Sequence, residues 1–279
     1  MTKDKRNLLF FFLATFLATW SAYGLILIKG WDPYTLPGMA FLLIGGSAPS
    51  WVAVLLVLFS MDKTQRRDYF TRCFSVRRIR LPYWAFICLV FPLLFALVIA
   101  VNLLAGGALP GMENLRAYLA QPWMFALALL IGFFSGPWSE EFGWRGYALD
   151  PLLKRFGPLG GSILLGLVWG LWHLPLFFMP QTWHGKIGFG FAGFWTFMLY
   201  SIGLAMMMSW VYVRTGRSIL SAFLMHLAAN FSGNALAPYE PRLEILRMTA
   251  VLILGLALCL SLEFRRPETL AQPMNEYIA

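Results

Sequence analysis

Charge is scarce in this sequence. Only 13% of its 279 residues are Asp, Glu, Lys or Arg, about half the share of an ordinary soluble domain, and that excludes a water-soluble globule. Cysteine is scarcer. Cys73, Cys88 and Cys259 are odd in number, far apart and without metal-ligand spacing, so neither a disulfide framework nor a thiolate metal centre is expected. No segment repeats at solenoid or propeller periods and no low-complexity tract occurs, which excludes repeat architectures. The one-helix zinc signature HExxH is missing. The last residues, NEYIA, hold no cysteine for a terminal prenylation box, so the chain is not expected to be prenylated by that route itself.

What the sequence does have is hydrocarbon: 59% hydrophobic residues and 17% aromatics, with a mean hydropathy of +0.67. Eight apolar stretches, near 8–28, 39–59, 83–105, 122–141, 159–179, 192–213, 218–237 and 245–262, are each long enough to cross a hydrocarbon core of ~30 Å as a helix rising ~1.5 Å per residue. Helices are expected because a backbone amide in lipid has no water to bond. The expected fold is therefore all-α, a polytopic membrane bundle of about eight transmembrane helices. The first stretch follows Lys3, Lys5 and Arg6 as a signal peptide would. Its apolar part is too long and no small-residue cleavage site closes it, so it reads as a retained anchor. The last stretch carries Arg247 at one end, expected to snorkel toward water.

Lys and Arg stay preferentially on the cytoplasmic side. With the N-terminus inside, 17 of the 22 basic residues fall in inside segments and 5 in outside ones. Both termini are expected in the cytoplasm and the protein in the inner membrane of the cell. The loop 62–80 carries seven basic residues against two Asp and reads as a topology determinant with some attraction to anionic headgroups. The net charge of +9 is thus a membrane-surface signal; the bilayer is the expected partner and nucleic acid is not.

Residues 1–121 supply three spans with scarcely any ionisable residue inside them, and residues 238–279 the last span and a cytoplasmic tail. Residues 122–237 contain Glu140, Glu141, Arg145, His173, His226 and Asn230, so the chemistry belongs there. Gly166 and Gly170, four apart, and the glycines of residues 188–193 read as close helix contacts.

Ionisable residues within membrane segments are rare and mark functional sites by default. They form three groups. In EEFGWR, Glu141 and Arg145 are four apart and can pair on one helical face, while Glu140 points about 100° away. The alternative is an interfacial salt-bridge cluster. In WGLWHLP, Trp169 lies four residues before His173 and can hold its ring, although a lone histidine is also common as a satisfied core residue. In HLAAN, His226 and Asn230 share a face and can grip a carbonyl or a water, or simply bond between helices. His184 falls in an outside loop and is expected to be solvated. Joint occurrence favours one site over three coincidences.

This order of motifs, EExxxR (Glu140, Glu141, Arg145), aromatic-xxx-His (Trp169, His173) and HxxxN (His226, Asn230), resembles the CPBP family, which includes the type II CAAX prenyl endopeptidases and bacteriocin-immunity proteins. The likeness covers roughly residues 122–237. Trp169 stands where the family commonly has Phe. The resemblance implies an intramembrane endopeptidase acting on a membrane protein or lipidated peptide, with prenylated (CAAX-type) proteins among the candidates. Glu140 would activate water, His173 would assist, His226 with Asn230 would stabilise the oxyanion, and Glu141 with Arg145 would position Glu140. Arg145 beside Glu141 gives the two carboxyl groups different surroundings, which suits a division of roles. Zinc held by Glu140, His173 and His226 is the metal-dependent alternative. The depths of Glu140 and His173 along their segments disagree unless the site opens to the cytoplasm part-way into the bilayer. A non-catalytic immunity or scaffold protein and a proton-coupled transporter are the competing classes.

Overall fold

The computed structural model describes residues 3–236 and 240–264, and every regular element among them is helical. Helix α1 (Lys3–Lys29) turns Phe11, Thr15, Thr19, Ala22 and Ile26 inward at three- and four-residue spacing, while Phe10, Leu13, Leu17 and Ile28 face outward. That stripe is what a lipid-facing helix presents to its bundle. Helices α2 (Gly38–Gly46) and α3 (Ala48–Ser60) are bent by 50° at Ser47. Helix α4 (Lys63–Phe74) starts at Asp62, whose carboxylate accepts the Gln65 backbone N–H at 2.9 Å while the Gln65 side chain accepts the Asp62 N–H at 3.1 Å, a reciprocal cap.

Next come α5 (Leu81–Leu104), α6 (Glu113–Ala120) and α7 (Pro122–Ser135). Gly136 breaks the chain, Pro137 restarts it as α8 (Pro137–Gly143), a π-helical turn follows at Trp144–Ala148, and α9 (Leu149–Trp172) runs on to the second motif. Gly157 kinks α9 at φ 73°, a backbone position that a side chain would strain. After the kink the Leu159 N–H donates to Glu263 Oε1 at 2.9 Å. The chain closes with α10 (Trp183–Ile187), α11 (Ala192–Arg214), α12 (Ile219–Leu236) and α13 (Pro241–Phe264).

Among the described residues six helices are long and apolar enough to cross a membrane, or seven if the bent pair α2–α3 is one span. Eight stretches were expected; the fourth and fifth both lie in the single run Pro122–Phe178, 57 residues long. A straight helix of that length would measure ~85 Å, close to three bilayer cores, so the breaks at Gly136 and Gly157 are what let it fold back into the bundle. The C-terminal residues expected to form a cytoplasmic tail lie outside the described residues.

Helix α11 is the most buried and sits between α9 and α13. A Cβ on Gly166 would lie 2.6 Å from Ile202 Cα, and one on Gly203 would lie 2.8 Å from Leu252 Cα, so glycine permits the backbones to touch. Of the glycines of 188–193, Gly193 is such a contact too, since a Cβ there would lie 2.8 Å from Ile187 Cβ of α10; the other two do something else. Gly188 and Gly190 have φ of 75° and 77° and turn the chain into α11; the helix-contact expectation is corrected there. One apolar core joins the N-terminal helices to the motif region, with Phe11, Val52 and Phe91 in the same cluster as Trp144, Leu165 and Met207.

Candidate active site

The break at Gly136 tips α8 inward, so the acidic pair enters the bundle beside α3 and α12, within reach of Trp169 on α9. Glu140 is buried, and Glu141 and Arg145 are completely so. Arg145 Nη1 donates to Glu141 Oε1 at 2.9 Å, and His226 Nδ1 lies 2.8 Å from that same oxygen. Glu140 turns elsewhere. Its Oε2 accepts the Trp169 indole N–H at 2.5 Å, and the Arg145 guanidinium lies 4.6 Å from the Trp169 ring centroid, within cation–π range. One tryptophan thus touches both motif-one side chains that carry opposite charge.

His173 Nδ1 lies 2.8 Å from the Trp169 carbonyl. A carbonyl accepts and does not donate, and the same holds for the ion-paired Glu141 carboxylate facing His226, so Nδ1 carries a proton in both rings. A Cβ on Gly136 would come within 2.9 Å of Asn230 Nδ2 and 3.3 Å of His226 Nε2. Those two polar atoms therefore converge over a floor that only glycine leaves open.

Glu140, His173, His226 and Asn230 all line one cavity of about 610 Å³, with Glu141 and Arg145 behind its wall. Every residue singled out from the three motifs is therefore in or directly behind the same space. Tyr200 and Asn234 line it as well. So does Arg247, which is buried and ion-paired with Glu244 instead of snorkelling.

His184 is the residue the sequence reading misplaced. It is partly buried, its ring is stacked on His173 with centroids 5.2 Å apart, and it lines the cavity. Burial, and then the neighbouring His173, push its pKa well below the usual histidine value, because a charged imidazole there would lose water and meet a second ring. Its signal in the sequence was rarity: the chain has three histidines, and all three meet here.

For a metal, the ligand atoms of Glu140, Glu141 and His226 lie within 4.8 Å of one another. Glu141 Oε2 is buried and has no hydrogen-bond partner among the described residues. An acidic pair, an imidazole and an orphaned carboxylate oxygen fit a divalent cation. His173, included in the set read from sequence, stands outside that cluster, and Glu141 takes its place.

The loop 62–80 also reaches the site. The buried Tyr69 hydroxyl of α4 donates to the Phe142 carbonyl at 2.7 Å, next to Glu141 and the π-helical turn, a distortion that often marks functional helices. Asp150, just past that turn, accepts from Tyr212 at 2.8 Å and from Arg217, and pairs with Arg72 of α4, which itself donates to Tyr212 at 2.8 Å. Part of the basic loop is therefore a buried brace beneath the acidic helix as well as a topology signal.

Residues 121–232 match the family model described as type II CAAX prenyl endopeptidase Rce1-like. The protein named CAAX prenyl protease 2 of Methanococcus maripaludis is 28% identical over 242 residues, which cover 84% of this chain and 86% of that protein. The matched segment contains all three motifs, and in it the chain is similar to the Rce1-like type II CAAX prenyl endopeptidase family, the CPBP family its motifs resemble.

Proposed function

We propose that this protein is an intramembrane endopeptidase that hydrolyses a peptide bond of a membrane-associated protein, a prenylated C-terminal segment being one candidate substrate. The observation that carries this reading is the meeting of Glu140, His173, His226 and Asn230 around a single cavity. Glu140 is the base that takes a proton from the attacking water. Trp169 fixes its carboxylate through the indole N–H. His226, oriented by Glu141 through Nδ1, turns its Nε2 toward Asn230 over Gly136. Asn230 Nδ2, beside it over Gly136, is the donor available from the start for a developing oxyanion, a contribution of ~3 kcal/mol where such donors have been removed. Arg145 neutralises Glu141 inside the bundle, where an unpaired charge would be costly.

A zinc ion would be held among Glu140, Glu141 and His226, and when bound it would supply a water already lowered toward ionisation. The residue roles above concern proton transfer and orientation at named atoms and are argued independently of it.

The test is purified protein in liposomes with farnesylated and unmodified C-terminal peptides, read by product mass. Cleavage by wild type and its loss in Glu140→Ala are expected. Cleavage that survives Glu140→Ala would overturn the role given to Glu140, and failure with every membrane-anchored peptide while Glu140→Ala still complements the wild type in cells would overturn the protease reading in favour of an immunity or scaffold role.

A further inference from the structure

Helix α1 lies outside the segment that matches the family model and carries none of the three motifs, yet it reaches the cavity. Thr19 is completely buried. Its hydroxyl donates to the Gly45 carbonyl at 2.7 Å and accepts the Trp172 indole N–H at 2.8 Å. The Trp172 ring in turn stands edge-on to His173, with centroids 4.6 Å apart. One threonine therefore ties α1 both to the end of α2 and to the tryptophan beside the second motif.

Tyr23 follows four residues later and so shares that face of α1. It is only 3% exposed, and it lines the cavity together with Glu140 and His173. Two successive glycines make room for its ring. A Cβ on Gly45 would lie 2.8 Å from Tyr23 Cε1, and one on Gly46 would lie 3.0 Å from the hydroxyl oxygen. Glu140 is near enough for its charge to act on this phenol. The hydroxyl makes no hydrogen bond among the described residues, and its oxygen is not sealed from the cavity.

Packing alone would be served by phenylalanine. A buried tyrosine normally satisfies its O–H, and an O–H given nothing to bond carries a cost that phenylalanine in the same slot would avoid. The acceptor for this hydroxyl is therefore to be sought in what the cavity binds. We propose that Tyr23 is a further catalytic residue, its hydroxyl donating to the carbonyl oxygen of the peptide bond being cut; this deepens the protease reading and rests on it. As the water oxygen bonds to the carbonyl carbon, Glu140 takes the water's proton and the π pair moves onto the carbonyl oxygen. That oxygen accepts hydrogen bonds from Tyr23 and Asn230, and no proton leaves the phenol. Thr19 and the glycine pair hold the ring before substrate arrives, which is what makes such a donor effective.

Tyr23→Phe removes the oxygen and keeps the ring. The assay is purified full-length protein in liposomes, with whichever of the farnesylated and unmodified C-terminal peptides wild type cleaves better. We expect kcat to fall about a hundredfold with KM nearly unchanged, since the bond strengthens only as charge develops. The melting temperature should match wild type, because no intramolecular hydrogen bond is lost. A raised KM at unchanged kcat, or a fall in kcat accompanied by a lower melting temperature, overturns the proposal. Wild type that cleaves neither peptide removes the protease reading and this one with it. Cleavage by wild type that Tyr23→Phe equals in both kcat and KM removes this one alone.

Discussion

His226 Nδ1 stands 2.8 Å from Glu141 Oε1, and this contact sets which ring nitrogen faces the cavity. The same oxygen accepts Arg145, so a residue that does not line the cavity holds two functional groups in place.

Glu141 and Glu140 should therefore respond differently to substitution. Glu141→Ala leaves the fully buried Arg145 without its carboxylate partner, and a loss of about 3–5 kcal/mol in stability is expected, visible as a lowered melting temperature in detergent. Glu140→Gln keeps the shape and a polar contact for Trp169. It should melt near wild type while peptide cleavage falls by about a hundredfold or more.

Trp169→Phe keeps an aromatic ring beside His173 and His226 and removes only the donor to Glu140. A hydrogen bond to a charged group is worth roughly 1.5–3 kcal/mol. We expect kcat to drop about tenfold to a hundredfold with KM nearly unchanged. A KM effect with unchanged kcat would assign the indole to substrate binding.

Gly136→Ala introduces a methyl 2.9 Å from Asn230 Nδ2 and 3.3 Å from His226 Nε2. Both side chains must shift, and a displacement of that size at reacting groups costs on the order of a hundredfold in rate. The protein should still fold, since the intrusion is into the cavity wall; cleavage kinetics beside a thermal melt separate the two effects.

Asp150→Asn weakens the brace made with Arg217, Arg72 and Tyr212. Because the arginines are largely buried, a destabilisation of about 3 kcal/mol is expected. Tyr69→Phe removes one hydrogen bond, to Phe142, and should cost about 1 kcal/mol. Thermal unfolding of the two variants gives the comparison.

Cys73 is buried, and its thiol pKa is pushed up to about 12, chiefly by desolvation. Alkylation proceeds through the thiolate, so iodoacetamide at pH 8.5 should leave Cys73 intact in the folded protein and modify it after denaturation, as read by peptide mass.

The candidate site was legible in the sequence because hydrocarbon is a plain background: two glutamates, an arginine and two histidines stand out in apolar helices where each costs free energy. Their pairing at four-residue spacing was legible too, since Glu141 and Arg145 are neighbours on any helix. His184 was not. A histidine in a connecting segment carries no local mark of burial, and its stacking on His173 depends on how 173–191 folds back over the bundle. Tyr69 was hidden for a similar reason, being one aromatic residue in a loop whose seven basic residues suggested only topology.

By itself the sequence determined that the chain crosses a membrane as helices and which residues carry reactive groups. Composition and local spacing suffice for these, because transfer from water to lipid acts on each segment separately. Tertiary structure alone decided that the breaks at Gly136 and Gly157 merge two expected spans into one folded run, and that Glu141 rather than His173 comes within metal-ligand reach of Glu140 and His226. Those outcomes depend on contacts between residues tens to hundreds of positions apart, and no local pattern in the sequence encodes them.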